Sequence, residues 1–451
     1  MAHSPPDLPG AQTTDSPIDR ALTLLLAEEV EAALRWSAAV VERDASIPSS
    51  LVITCRLLEQ MGRPEAAIEG FELAVHRAID AGNLPLAVAA VADLRSLGVD
   101  IDKHLDELAS AFCLGSPRLQ ETETPPPPLP NFEGFQPLSS FLTGPALLSK
   151  ATQILHAATR DYEEAAGSEL PLVAPLPLFS ALGKEALREL VGAFEMITVP
   201  AGHRVIAEGE EGAEAYIVAR GELEVSRGNP EGGGSTVLAR LVSGALFGEM
   251  ALLSRAPRAA NVIATRPSIL LIAKRDALEA VAEKCPEVAV ELAAHCRRRM
   301  VANLARTSEV LISVPPQERT TLVERFETRI YEKGDKLVIE GEEAQGLHLV
   351  ASGEVAVVAH DNNELVVLAA LAAGDTVGEV ALVLRRRANA DVIAVHPTVT
   401  LFLPREDFLA LVHDHPTILH GLYMTAVRRD DETTRALDSS PVALADDYVL
   451  L

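Results

Sequence analysis

The sequence predicts a multidomain chain. An N-terminal all-α, helical-repeat-like domain is followed by two β-roll (jelly-roll-like) domains with flanking helices. Three observations predict it. Between residues 17 and 113 apolar side chains recur at three- and four-residue spacing, the period of amphipathic helices. A long segment beginning GHRVIAEGEE at Gly202 returns as GDKLVIEGEE at Gly334. Within each copy, short alternating runs such as Tyr216-Ile217-Val218 and Glu222-Leu223-Glu224-Val225 are punctuated by glycine, the pattern of short antiparallel strands that close into a roll or barrel.

The chain's 451 residues leave room for roughly three domains. Residues 1–16 are rich in Pro, Ser, Thr and Asp and are expected to be disordered. The helical domain spans 17–113. Gly62 closes one helix and Pro64 is placed to open the next; Ala67, Phe71 and Ala74 then share one helix face where a neighbour can approach closely. That spacing resembles the second helix of a tetratricopeptide repeat, with a weaker echo at Gly82, Ala87 and Val91. A Pro-rich linker is expected over 114–144, with TETPPPPLP at 122–130 favouring an extended polyproline segment. Phe132, Phe135 and Phe141 lie beside that string, and they are expected to pack on the domain that follows. A linker helix is expected over 145–177, the two rolls over 178–305 and 306–430, and an acidic tail over 431–451.

The internal repeat holds register. Gly202/Gly334, Gly209/Gly341 and Gly221/Gly353 are offset by 132 residues, and Gly248/Gly378 and Glu249/Glu379 by 130. The difference falls in one loop, Asn229–Ser235 in the first copy and Asp361–Asn363 in the second. Each copy ends in a helical stretch, opening at Pro286 and Pro416.

The segment Phe247-Gly248-Glu249-Met250-Ala251 continues through Leu252 to Pro257-Arg258-Ala259-Ala260. In order and spacing this resembles the phosphate-binding cassette of the cyclic-nucleotide-binding domains in bacterial catabolite activator proteins and in regulatory subunits of cyclic-AMP-dependent protein kinase. The resemblance implies a ligand site at Phe247, Gly248, Glu249, Met250, Ala251, Arg258, Ala259 and Ala260. Arg258 would present a planar fork of donors to a cyclic phosphate, backed by N–H groups after Gly248. Glu249 would accept from the ribose 2′-hydroxyl, and the small alanines would leave room. Ala259, where cGMP-selective relatives carry a hydroxyl, implies cAMP as ligand, with cGMP the alternative.

The second copy departs from this pattern. Gly378, Glu379, Val380 and Ala381 stand in register, but Ala388 matches Arg258, Asn389 matches Ala259, and Arg387 lies one residue early. That site is left open between weak binding, a different ligand and a purely structural role.

What the sequence lacks narrows the function. Its net charge of −26 repels nucleic acid and anionic membranes, so neither DNA nor membrane is expected as a partner. No stretch of 18 apolar residues occurs and no secretory leader is evident, giving a cytoplasmic expectation. The four cysteines, Cys55, Cys113, Cys285 and Cys296, form no C-x-x-C pair and are expected to be buried thiols. Walker A, H-E-x-x-H, G-x-S-x-G and kinase signatures are absent, so no catalytic residue, metal site or cofactor is assigned. The pair His413 and His415 has no third metal ligand nearby. No Arg-Arg-x-Ser/Ala segment precedes the first roll. An excess of Arg over Lys and abundant Ala point to a GC-rich bacterial source. The expectation is therefore a cytoplasmic cyclic-nucleotide receptor, ligand moving the helix from Pro286, with a protein partner engaged through the helical domain. The alternative is a scaffold protein whose rolls no longer bind nucleotide.

Overall fold

Helix start signals in the sequence set the N-terminal architecture. The computed structural model describes residues 16–120, 132–165, 171–228, 235–253, 257–308, 325–361, 364–414 and 416–438. Its first six helices are α1 (Pro17–Leu26), α2 (Val30–Arg43), α3 (Pro48–Gln60), α4 (Pro64–Asp80), α5 (Leu84–Ser96) and α6 (Asp102–Phe112). Proline occupies the first turn of α1, α3, α4 and α5, where no intrahelical N–H is required. Ser16 caps α1 by accepting from the Ile18 amide. The turns after α3 and α4 use Gly62 and Gly82 in the left-handed region (φ 77° and 68°). The helices bury Leu34, Leu57, Phe71 and Leu94 in one shared core. Gly70 marks the tightest approach. A Cβ there would lie 2.4 Å from Leu155 and 2.5 Å from the Cys55 sulfur.

That Leu155 belongs to α7 (Gly144–Ala165), the helix expected to act as a linker. It packs instead along α2 and α4, burying Leu147, Ala151, Ile154 and Leu155 in the helical core. The stripe of α7 that reads as amphipathic is thus satisfied within the helical domain. Phe132 and Phe135 also turn back rather than forward. Phe135 stacks on Trp36 of α2 with ring centroids 6.0 Å apart, and the Arg43 guanidinium lies 5.8 Å from each phenylalanine ring. An apolar face on α2 stands beside them, so they reach it before the first roll. Phe141 remains 94% exposed. The Pro-rich string at 122–130 lies outside the described residues, as do residues 1–15 of the segment 1–16 expected to be disordered; Ser16 is instead ordered as the cap of α1.

The first roll opens with α8 (Lys184–Gly192) and folds eight strands: β1 (Glu195–Val199), β2 (Arg204–Ile206), β3 (Glu214–Arg220), β4 (Glu222–Gly228), β5 (Ser235–Val242), β6 (Leu246–Phe247), β7 (Asn261–Ala264) and β8 (Ser268–Lys274). They form two antiparallel sheets ordered β1-β8-β3-β6 and β2-β7-β4-β5. A short helix α9 (Met250–Leu253) interrupts the roll, and α10 (Arg275–Lys284) and α11 (Pro286–Thr307) follow it. Gly221 turns β3 into β4 at φ 111°, and a Cβ there would sit 2.0 Å from the Ser268 hydroxyl, so only glycine fits.

The second roll repeats this with β9 (Glu327–Tyr331), β10 (Lys336–Val338), β11 (Gly346–Ser352), β12 (Glu354–Asp361), β13 (Glu364–Ala372), β14 (Thr376–Val377), β15 (Asp391–Ala394) and β16 (Thr398–Pro404). The sheet orders are β9-β16-β11-β14 and β10-β15-β12-β13, the first roll's orders advanced by eight. Helices α12 (Glu379–Val383), α13 (Arg405–Asp414) and α14 (Pro416–Asp438) complete it. Helix α14 continues past residue 430, where the tail was expected to begin; the remainder lies outside the described residues. His348, on the strand position of Tyr216, is buried against Phe402 and Tyr331, and burial pushes its pKa down to about 3.

The helical domain is docked firmly on the first roll. Residues Ala215, Ile217, Leu246, Ile269 and Leu271 share one apolar core with the helices. Polar groups pin the seam. Buried Asp19 of α1 accepts from both Arg220 and Arg266, the latter through Nε at 2.8 Å. Arg56 of α3 donates to Asp93 at 2.9 Å and to the Thr198 hydroxyl at 3.1 Å. Asn83 caps α5 through the Leu86 amide while its Nδ2 reaches the Ala219 carbonyl at 3.3 Å. The sheet these groups hold is the one that carries β6, the strand leading into the cassette.

Candidate functional site

In the first roll the cassette begins where β6 ends. Phe247 is buried and stacks on Tyr216 of β3 with centroids 5.3 Å apart. That contact fixes the exit direction of the chain. Gly248 follows at φ 74°, a conformation that suits glycine. A Cβ on it would lie 2.8 Å from Arg258 Nη1 and 3.3 Å from the Glu214 carbonyl oxygen, so its lack of a side chain admits the guanidinium. Met250 and Ala251 start α9, with Ala251 buried and its carbonyl accepting from Arg275.

Arg258 is held in place before any ligand is considered. Nη1 donates to the Gly248 carbonyl at 2.9 Å and Nη2 to the Glu214 carbonyl at 2.8 Å. The Glu214 carboxylate lies 3.6 Å from Nη2. Burial lowers its pKa, while Tyr216, Glu214 and Glu249 act in the opposite direction. A guanidinium has five N–H donors, so these two carbonyl bonds orient the group without exhausting it. Arg258 is thus bonded to the carbonyl of Gly248, the residue that precedes Glu249. Ala259 is exposed and its carbonyl accepts from Arg227 at 3.0 Å; Ala260 is half-buried.

Glu249 shows what the sequence reading missed. It is 4% exposed, and its Oε1 pairs with Nε of Arg299 on α11 at 3.1 Å. The Cys296 sulfur of the same helix lies 4.0 Å from the Glu249 carbonyl oxygen. In the second roll Glu379 is 1% exposed, and its Oε1 accepts from Arg429 of α14 at 2.6 Å. Arg299 and Arg429 are themselves 130 residues apart, the offset of the two glutamates. The signal was present in the sequence. Within one helix, however, a cation has a sufficient local explanation in the helix dipole, and nothing local ties either arginine to an acid 50 residues earlier.

The second site lacks the first one's cation. Ala388 is buried where Arg258 stands in register, and Arg387 points outward to donate to the Gly341 carbonyl at 2.9 Å. The one-residue slip therefore does not restore a phosphate fork. Asn389 donates to Asp430 at 3.1 Å. Gly378 caps α12 at φ 89°, Val380 is half-buried and Ala381 buried. Burial raises the Glu379 pKa, with Arg429 lowering it in part.

Gly212 offers a direct test of the first site. A Cβ there would lie 2.3–2.5 Å from the Arg258 guanidinium. We expect Gly212→Ala to push the guanidinium off the Gly248 and Glu214 carbonyls, to weaken binding of the cyclic nucleotide that the resemblance implies about tenfold, equivalent to about 1.4 kcal/mol, and to lower the melting temperature through the two bonds lost. Calorimetric titration and a thermal scan check both parts.

Among the described residues no cluster of potential metal ligands and no helix long and apolar enough to cross a membrane occur. His413 is exposed, and His415 lies outside the described residues.

Known proteins align with this architecture. The sequence profile of the cyclic nucleotide-binding domain matches residues 196–285 and 328–415. A cAMP-dependent protein kinase regulatory subunit from Hypocrea atroviridis is 31% identical over 52% of this chain and 50% of its own length. Its counterpart from Yarrowia lipolytica is 30% identical over 52% of this chain and 58% of its own. The chain thus spans little more than half of these relatives. A co-crystal structure of the regulatory domain of Toxoplasma gondii PKA with cAMP shares 27% identity, covering 56% of this chain and 92% of that one, with a TM-score of 0.28. The bacterial source expected from Arg and Ala usage is corrected here, because five curated relatives at 28–31% identity are all fungal. High Arg and Ala content reflects base composition, which is not confined to one kingdom.

Proposed function

We propose that this chain, which carries two cyclic-nucleotide-binding domains, is a cytoplasmic cAMP receptor that reads the ligand in its first roll and regulates a protein partner. One observation carries the reading. The Arg258 guanidinium is already aimed by two backbone carbonyls at the flank of Gly248, beside the buried carboxylate of Glu249. A cyclic phosphate would take the remaining guanidinium donors. The ribose 2′-hydroxyl would donate to Glu249, which holds a second partner in Arg299 on α11. Ligand and helix therefore meet at one carboxylate, and binding can shift the population of α11 positions. The seam between helical domain and roll gives a route from the sheet carrying β6 to α1, α3 and α5; α3 and α5 are buried almost throughout, so the surface open to a partner lies on α6 and α7 of the same domain. The matched relatives are regulatory subunits by name, which supports a regulatory rather than catalytic role.

Calorimetric titration with cAMP tests this. Saturable binding is expected in the wild type, with cGMP weaker, and Glu249→Gln is expected to reduce affinity at least about tenfold through loss of the charge-assisted acceptor. Wild-type protein that gives neither heat nor thermal stabilisation with millimolar cAMP would leave the scaffold reading in its place.

A further inference from the structure

A second carboxylate stands at the Arg258 guanidinium. Glu214 opens β3, and its Oε2 lies 3.6 Å from Nη2, the nitrogen that also donates to the Glu214 carbonyl at 2.8 Å. That carbonyl and the one of Gly248 already aim the guanidinium, so the acidic side chain adds charge rather than direction. The Glu214 side chain is 38% exposed, against 7% for Arg258, and an acid this hydrated needs no buried partner for its own sake.

The internal repeat ties this acid to the cation. At the offset of 132 residues that holds through this stretch, Glu214 corresponds to Gly346 and Gly212 to Ala344, while Arg258 corresponds to Ala388. A Cβ at Gly212 would lie 2.3–2.5 Å from the Arg258 guanidinium, whereas Ala344 is buried in the core that holds Ala388. At Gly346 a Cβ would meet the Leu403 carbonyl oxygen at 2.2 Å, which closes the second roll to an acid there. Cation, acid and the space between them are thus present together in the first roll and absent together in the second.

The charges around Arg258 decide what such an acid does. Glu214 and Tyr216 face it from β3, Glu249 from the cassette and Arg275 from α10. Glu249 is paired with Arg299, and Lys274, the cross-strand neighbour of Glu214 on β8, is paired with Glu195. A cyclic phosphodiester brings one negative charge. The 5′-monophosphate, formed when water opens the ring at its 3′ oxygen, brings nearly two at neutral pH, since its second ionisation falls near pH ~6. The guanidinium can offset one of these, and a carboxylate 3.6 Å from Nη2 repels the other.

We propose that Glu214 is a specificity-determining residue of the first roll, a fixed negative charge beside Arg258 that admits the singly charged cyclic phosphate and rejects the doubly charged 5′-monophosphate. It rests on the first roll being a cyclic-nucleotide site. Hydrolysis of the ring then ends occupancy by charge as well as by shape.

The test is competition of cAMP and 5′-AMP against a fluorescent cAMP analogue on the full chain. Glu214→Gln is expected to tighten 5′-AMP about tenfold while changing cAMP by no more than about threefold, so that the ratio of the two dissociation constants falls. Glu214→Asp keeps the charge and should hold that ratio within about threefold of the wild type. The pH profile is a readout that a merely structural role would not move. Between about pH 8 and about pH 5.5 the monophosphate gains a proton. In the wild type 5′-AMP should therefore bind more tightly at the lower pH, and in Glu214→Gln nearly alike at both, with cAMP level throughout. A ratio in Glu214→Gln equal to that of the wild type, in proteins that melt alike, would overturn the proposal. So would millimolar 5′-AMP that fails to compete in Glu214→Gln, or wild-type affinity for 5′-AMP that is the same at both pH values, a result that stands even where the variant melts early. Wild-type protein that binds no cAMP would overturn the receptor assignment itself, and this proposal with it.

Discussion

Arg258→Ala is expected to weaken cAMP binding by about 100-fold, some 2.7 kcal/mol, within the range for a charge-assisted hydrogen-bonding group removed from a buried site. Two effects add in the same direction. The phosphate loses its guanidinium, and the carbonyls of Gly248 and Glu214 lose the donors that hold them 2.9 and 2.8 Å from it. The cassette's entry is therefore loosened as well as stripped of charge. Arg258→Lys should recover little, because a single ammonium cannot span two carbonyls and present a fork to an anion. Calorimetric titration of wild type, Arg258→Ala and Arg258→Lys decides the matter. Equal affinities in all three would mean that the phosphate is bound elsewhere.

Asp19→Ala is expected to destabilise the helical domain and first roll together by about 3–5 kcal/mol, the range for breaking a buried ion pair by removing one partner. Asp19 is 4% exposed, and its carboxylate is the shared acceptor of Arg220 and Arg266. The Arg220 side chain is only 12% exposed, so its charge would remain in a poorly solvated seam. Burial already lowers the Arg220 pKa and Asp19 counters it. Arg266, with a side chain 28% exposed, can relax toward water and contributes less. Urea unfolding followed by circular dichroism gives the loss directly. The single tryptophan, Trp36, reports separately on the helical domain. A loss below about 1 kcal/mol would show that the apolar part of the seam holds the two units by itself.

These two residues also mark what could be read from the chain alone. Arg258 sits in a contiguous cassette that starts with strand β6, Gly248 and the short helix α9. Such a site is legible because its geometry is set locally, and duplication of the segment confirmed the register. The loss of the cation at Ala388 was legible for the same reason. Asp19 was not legible, since its partners lie 201 and 247 residues away, and an acid in the first turn of a helix has a sufficient local explanation in the helix dipole. The same holds for Arg299 and Arg429. For α7, amphipathic periodicity established that one face would be buried without saying which surface would bury it.

The order of residues by itself determined the helices, the two rolls and the composition of each cassette, because hydrophobic period, glycine turns and proline starts act over a few residues. Only the tertiary structure decided which charges meet: Asp19 with Arg220 and Arg266, Glu249 with Arg299, Glu379 with Arg429. It also decided that Glu379, lining a cavity of the second roll, would keep one carboxylate oxygen without a hydrogen-bond partner. Burial makes these pairings strong, and burial is created by distant segments packing together rather than by any one stretch of sequence.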